Sequence, residues 1–316
     1  MKHILSILPP SIKACIENCS QKDLIEEIRV RIDHPLELII SGMPKYPLVN
    51  NKPYIASHDD GIHLLNHLSQ FSLYTLDEEL KKGYITIKGG HRVGLAGKVI
   101  TENGFVKAIR EISSFNIRIA KQIIGIANKY LPFLYERQWQ NTLLIGPPKT
   151  GKTTLLRDIA RVISEGIPER KIASEKVGIV DERSEIAGSV KGVPQHNLGH
   201  RVDVLDACPK AEGMMMLIRS MSPDVIIVDE IGRKEDCDAI IEAIHAGVKI
   251  IVTAHGKNTD EVMNRPTLKP LFQDKVFQRY FELGDTKKPG YVTNVKDQQL
   301  RDLSLSLNEP KVLVKR

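Results

Sequence analysis

The period of hydrophobic positions changes along this chain, and the change divides it in two. In the first third, Ile28, Val30 and Ile32 alternate with Arg29 and Arg31, the two-residue repeat of a half-buried strand. Asp33-His34-Pro35 reads as a turn, and Leu36 to Ile40 as a second strand ending near Gly42. Pro10–Cys19 and Gly61–Gln70 have helical spacing, the latter with Asp59 or Asp60 as its cap. Asp77–Lys82 reads as a further helix closed by Gly83. Hairpin signals follow. Tyr84, Ile85 and Ile87 lead into Gly89-Gly90, and Val93, Leu95 and Val99 precede a tight turn at Asn103-Gly104. Phe105–Ile109 returns, and Phe115, Ile117 and Ile119 alternate with Asn116 and Arg118. A helix is predicted over Ile126–Tyr135.

Beyond it, apolar runs alternate with amphipathic stretches. Strands are predicted at Thr142–Ile145, Val177–Val180, Val225–Val228 and Ile250–Thr253. Helices are predicted at Lys152–Ile163, Ala211–Met221 and Asp236–Ala246. Apolar strands alternating with helices describe a parallel sheet covered on both faces. The fold class is therefore α/β, a parallel-sheet core with a smaller N-terminal α+β domain. The boundary lies within 120–138, giving domains 1–125 and 126–316. The Met214-Met215-Met216 triplet reads as helix packing.

Composition narrows the classes. The chain has 316 residues, 41% hydrophobic and 27% charged, which is globular composition. No run of about 18 apolar residues is present to span a bilayer. The apolar stretch Ile4–Leu8 meets Pro9-Pro10, too short for a secretory leader. The cysteines (Cys15, Cys19, Cys208, Cys237) are scattered, unlike a disulfide scaffold or zinc site. A cytoplasmic location is the expectation. The formal charge of +6 is mild, and aromatics are 5%. With no basic tract interleaved with aromatics, a single-stranded nucleic acid is a weaker partner than a protein or a membrane-side assembly.

The chemistry concentrates in four segments. Gly146-Pro147-Pro148-Lys149-Thr150-Gly151-Lys152-Thr153 fits G-x-x-x-x-G-K-[ST], between a predicted strand and a predicted helix. Such a loop curls its N–H groups around phosphate oxygens while the helix directs its positive end at the same anion. Lys152 can reach the β- and γ-phosphates of ATP, Thr153 can ligate Mg²⁺, and Thr154 can add an α-phosphate contact. Val225–Val228 ends in Asp229-Glu230. Asp229 is the metal-side carboxylate, and Glu230 is the candidate to polarise the attacking water. Val180 leads into Asp181-Glu182-Arg183-Ser184-Glu185. Each of its acids is a candidate to face the γ-phosphate and equally a candidate for a salt bridge; Glu182 is taken forward. Thr253 and His255 end the last strand, where α/β proteins bind ligands, and can sense nucleotide. Arg201, Arg219 and Arg233 are each candidates to reach a γ-phosphate from a neighbouring subunit.

In order and spacing these four segments resemble the motifs of the type II and type IV secretion ATPases. Longer strings narrow the resemblance to a sporulation branch, the stage III AA family of endospore-forming bacteria. They are Val180–Ala187, Asp203–Met216 and Arg219–Asp224, supported by Ser114–Ala120 and Arg265–Phe272. The likeness covers roughly residues 25–285. It implies a RecA-like ATPase core and a homo-oligomeric ring, a hexamer, on the cytoplasmic side. It also implies membrane proteins of a mother cell–forespore channel as partners. Secretion ATPases often carry Gly-Glu where this chain has Asp229-Glu230, which leaves Glu230 as the base candidate. The tetracysteine zinc site of bacterial type II members is absent.

Overall fold

The computed structural model describes residues 1–69, 83–284 and 289–303. The helix expected at Asp77–Lys82 lies outside the described residues. The chain divides into two compact units, Met1–Lys121 and Gln122–Arg316.

The first unit is an antiparallel sheet with helices on one face. Its strands are β1 (Ile25–Arg31), β2 (Glu37–Ile40), β3 (Met43–Lys45), β6 (Tyr84–Ile87), β7 (His91–Glu102) and β8 (Phe105–Arg118), in spatial order β3-β2-β1-β8-β7-β6. Two further short strands, β4 (Leu48–Val49) and β5 (Lys52–Pro53), pair with each other. Alternation decides which face is covered. Ile28, Val30, Val93, Phe115 and Ile117 are buried with Ile4, Ile12, Ile16 and Leu64 from helices α1 (Lys2–Leu5), α2 (Pro10–Glu17) and α3 (His58–Leu68). Arg29, Arg31 and Arg118 emerge on the other face, with Glu27 and Glu37 as ion partners. Asn103 and Gly104 both have positive φ, 52° and 79°, as a two-residue turn between twisted strands requires.

The cap of α3 differs from the expectation. Ser57, not Asp59 or Asp60, is the N-cap; its hydroxyl accepts from Asp60 N, and the Asp60 carboxylate accepts from Ser57 N at 2.8 Å. Asp60 thus closes a reciprocal capping box from inside the helix.

The second unit is a seven-stranded sheet. Its strands are β9 (Thr142–Gly146), β10 (Val177–Asp181), β11 (Val202–Asp206), β12 (Val225–Val228), β13 (Lys249–His255), β14 (Arg279–Leu283) and β15 (Val292–Asp297), in order β11-β10-β12-β13-β9-β14-β15. All neighbours are parallel except β14 and β15, which form an antiparallel pair. The elements α4 (Leu131–Leu134), α5 (Lys152–Glu165), α6 (Lys210–Ser220), α7 (Lys234–His245), α8 (Thr259–Met263) and α9 (Lys269–Gln273) complete it. Two apolar clusters cover the sheet, one around Leu156, Ile159, Ile227 and Phe281, the other around Met214, Ile226, Ile240 and Val252. Met214 is buried, as helix packing requires, while Met216 is exposed.

The predicted helix at 126–135 is reduced to a 3-10 turn, Asn128–Tyr130, followed by the single turn α4. Pro132 is tolerated only in a first turn. The Asp158 carboxylate accepts from Gly125 N and Ala127 N at 3.1 and 2.8 Å, holding this segment onto α5. Strands β11, β14 and β15 were not foreseen. Asp203, Asp206 and Glu282 interrupt their apolar pattern, and Glu282 is buried only because Thr259 and Lys296 satisfy it.

Candidate functional site

Parallel strands place their carboxyl ends together, so the loops after β9, β10, β12 and β13 converge on one edge of the second unit. The loop after β9 is the phosphate-loop sequence. Gly151 is the N-cap of α5 with φ +86°, and the neighbouring backbone forbids a side chain there. A Cβ on Gly151 would fall 2.2 Å from Gly290 N and 2.6 Å from Pro289 C. Gly290 N donates to Thr150 O at 2.8 Å. The Tyr130 hydroxyl fixes this buttress, accepting from Val292 N at 2.8 Å and donating to Gly290 O at 3.2 Å. Pro148 and Lys149 are exposed at the crest of the loop and Pro147 is half-buried. Thr150 is turned inward, donating to Pro147 O at 2.8 Å.

Lys152 folds back on its own loop. Its ammonium donates to Gly146 O at 2.7 Å and Pro147 O at 2.9 Å. Burial pulls its pKa down, and Asp229 and Glu230 pull it back up. The next residue, Thr153, donates to Asp229 Oδ2 at 2.6 Å. The other oxygen, Asp229 Oδ1, accepts from the Thr253 hydroxyl. Thr253 Oγ1 also accepts the Glu230 N–H at 2.8 Å. Thr253 O accepts from Ile231 N at 2.8 Å. Glu230 itself has φ +55°, a conformation a non-glycine residue holds only when its surroundings impose it. Its carboxylate is paired with Arg183, Nη1 to Oε2 2.5 Å. His255 ends β13 directly opposite Gly146 in register and is exposed. Thr154 lies half-buried in the first turn of α5.

The three acids at and after the end of β10 separate. Asp181 is buried and accepts from Glu185, Ile186 and Ala187 N at 2.8, 3.0 and 2.8 Å. Burial pushes its pKa up to about 6 against those three donors. It therefore shapes the 182–187 loop from inside, at the base of the cleft it lines with Asp229 and Glu230. Glu182 is ion-paired with Lys210 at the start of α6. Glu185 is exposed. Arg157 of α5 grips the same loop from the other side, donating to Ile186 O and Glu185 O at 2.7 and 2.8 Å. Burial brings its pKa down to about 10.

Two of the arginine candidates sit elsewhere in the unit. Arg201 lies just before β11 and donates to Ser174 Oγ at 3.2 Å. Five residues of strand, roughly 16 Å, separate it from the carboxyl edge. Arg219 is exposed in the last turn of α6, which runs back from that edge. Neither reaches the phosphate loop of its own unit. Arg233, at the start of α7, lies on the site side and lowers the Glu182 pKa together with Lys210 and Arg183. Sequence reading passed over Arg183, Lys210 and Arg157. A base directly after a strand-end acid, and another at the first position of a helix, are the signals that single out Arg183 and Lys210.

Thr153 and Asp229 present hard oxygen donors side by side. Among the described residues no group of three or more His, Cys, Asp or Glu could hold a metal ion. A cation here would complete its shell with phosphate oxygens and water, as Mg²⁺ does and zinc cages do not. The donor set therefore fits Mg²⁺ accompanied by a nucleotide.

The chain is similar to known proteins both in fold and in sequence. The chain has the fold of the ATPase DotB of Legionella pneumophila (TM-score 0.58, 16% identity, covering 87% of this chain and 76% of that one). It likewise has the fold of the pilus retraction motor PilT solved with bound ADP (TM-score 0.58, 17% identity, 88% and 77%). In sequence it is 56% identical over 306 residues to stage III sporulation protein AA of Bacillus subtilis strain 168, covering 96% of this chain and 97% of that protein. A more distant relative, the uncharacterized protein ycf45 of Porphyra purpurea, is 26% identical over 289 residues, 90% of this chain and 45% of that one. The family model described as sporulation stage III, protein AA matches residues 1–303, and the chain belongs to that family.

Proposed function

We propose that this chain is an ATP-hydrolysing motor that works with Mg²⁺ in a sporulation channel. The observation that carries the reading is the Thr153–Asp229 hydrogen bond. It joins the phosphate loop to the acidic strand end and sets two Mg²⁺ ligands beside Lys152 and Glu230. In this reading Lys152 leaves its loop carbonyls for the β- and γ-phosphates. Water attacks the γ-phosphorus in line, its proton passes to the Glu230 carboxylate, and the bond to the bridging oxygen breaks with its electron pair leaving on ADP. Catalysis is then mostly positioning and electrostatics. Mg²⁺ would supply charge neutralisation between the phosphates. In the same reading His255, opposite Gly146, would sense the bound nucleotide, and Glu182, held by Lys210, would face the γ-phosphate.

The relative from Bacillus subtilis carries the sporulation assignment in its name, and that context supports membrane proteins of a mother cell–forespore channel as partners. No described helix is long and apolar enough to cross a membrane, which is consistent with a cytoplasmic motor held at the membrane by others. The first unit would serve assembly or docking. The motor would work as a homo-oligomeric ring, a hexamer, in which Arg201 or Arg219 would meet a neighbouring subunit's nucleotide.

The test is phosphate release from Mg²⁺-ATP by the full chain and by Glu230→Gln, with particle mass measured with and without ATP. Release by the wild type, and ATP binding without release by the variant, are the expected results. Undiminished release by Glu230→Gln overturns the base assignment, and absence of nucleotide binding by the wild type overturns the function.

A further inference from the structure

Arg183 lines the cleft beside Asp229 and Glu230 and has no part in the proposed chemistry. Its guanidinium holds the Glu230 carboxylate at 2.5 Å across 47 positions of sequence. Both partners are largely exposed, 60% and 45%. An exposed pair of this kind is worth little, because solvent screens it. It is therefore a pair that a stronger anion can displace. The backbone on both sides is far less yielding. Glu230 is fixed by its N–H bond to Thr253. The loop carrying Arg183 is fixed by three N–H bonds to Asp181 and by Arg157 on its carbonyls. Side chains can therefore change partner here while their Cα positions stay.

The direction of such a change follows from charge. Arg183, Asp229 and Glu230 line one cleft, and Asp229 is bonded to Thr153 at the end of the phosphate loop, so a guanidinium resting on Glu230 is already beside that loop. The terminal phosphate of a nucleoside triphosphate offers paired oxygens and more charge than one carboxylate, the geometry an arginine fork matches best. A diphosphate ends one phosphoryl group short and offers no such oxygens at that position. Glu182, the adjacent acid, is bound by Lys210, and Arg183 also lies near enough to favour its charged form.

We propose that Arg183 is a γ-phosphate ligand of this same chain. With the triphosphate absent it is parked on Glu230. On triphosphate binding it moves to the γ-phosphate and releases the Glu230 carboxylate to take the proton from water. The inference rests on the ATPase reading above and adds to it an arginine in cis that tells triphosphate from diphosphate.

The experiment is equilibrium binding, in Mg²⁺, of ADP and of an ATP analogue with a non-hydrolysable β–γ linkage. The full chain is compared with Arg183→Ala and Arg183→Lys. Arg183→Ala is expected to weaken the analogue about tenfold or more while leaving ADP within about twofold, with Arg183→Lys intermediate. Analogue and ADP affinities that both stay unchanged, or that fall together, overturn the proposal. So does faster hydrolysis by Arg183→Ala, which would make the pair a plain restraint on Glu230. If the wild type binds neither nucleotide, the ATPase reading itself fails, and that outcome is separate from the others.

Discussion

Thr253 links the two acids of the β12 strand end: its hydroxyl donates to Asp229 and accepts from the Glu230 backbone N–H. Thr253 itself is buried, so neither group finds water easily if the hydroxyl is lost. Thr253→Val keeps shape and removes the hydroxyl. It is expected to cost about 1–3 kcal/mol for the orphaned polar groups. It also frees Glu230 from its left-handed backbone conformation. Urea unfolding should show the loss, and phosphate release should show kcat falling more than KM rises. A variant with wild-type stability and wild-type kcat would show that this hydroxyl anchors neither acid.

Among the described residues the Lys152 ammonium bonds Gly146 O and Pro147 O of its own loop, and burial of its charge is a cost removed by truncation. Lys152→Ala is therefore expected to abolish hydrolysis while leaving the circular dichroism spectrum and melting temperature near those of the wild type. Normal turnover would remove Lys152 from the site. Collapse of the melting transition would make it a structural residue.

Gly151 makes the opposite prediction. Its φ of +86° is costly for any side chain, and a Cβ there meets the backbone of Pro289 and Gly290. Backbone cannot step aside as a flexible side chain does. Gly151→Ala is expected to lose nucleotide binding and about 2–4 kcal/mol of stability, strain and clash together. Nucleotide affinity measured beside urea unfolding checks both halves. Unchanged affinity would mean that the buttress from Gly290 does not set the loop.

The contrast between those two residues shows what was legible in the sequence. Gly151 and Lys152 are adjacent letters of one motif, and the motif announced both. That Gly151 is packed against Gly290 could not be read, because Gly290 lies 139 positions away, just before β15, and β14 and β15 carry acids in their apolar pattern. Val225–Val228 was legible to the residue because every position in it is buried and apolar. β11 was not, because it lies at the sheet edge and each of its residues is half-buried. The helix at 126–135 failed for a local reason, Pro132, and a distant one, the Asp158 carboxylate. At the site, residue types gave the acids and the loop, whereas the pairings Arg183–Glu230 and Lys210–Glu182 exist only once the strands are laid side by side.

The two units are expected to respond to acid in opposite directions. In the first unit His91 is buried and accepts the Ala120 N–H at 3.0 Å on Nδ1. Burial, helped by the N-terminal amine and His3, brings its pKa from 6.5 down to about 4. The unfolded chain then binds a proton that the folded unit refuses. Its contribution is present above about pH 6.5 and is lost as pH falls toward 4, about 1 kcal/mol between pH 7 and 5 once solvent screening is allowed for. His63 is shifted in the same direction by burial and by His67. In the second unit Asp181 is raised from 3.8 to about 6 by burial. Here the folded state binds the extra proton. The contribution is full below pH 3.8 and is lost as pH rises through 6, so acidification from 7 to 5 returns about 1 kcal/mol. Glu175, also raised by burial, adds to the second slope. Amide hydrogen exchange at pH 7 and 5, corrected for intrinsic rates, should show protection falling in peptides of residues 25–40 and 84–118 and rising in peptides of 142–181 and 225–255. His91→Gln should flatten the first response and Asp181→Asn the second. Slopes of the same sign in both units, or slopes indifferent to these substitutions, would show that neither buried group governs the acid response.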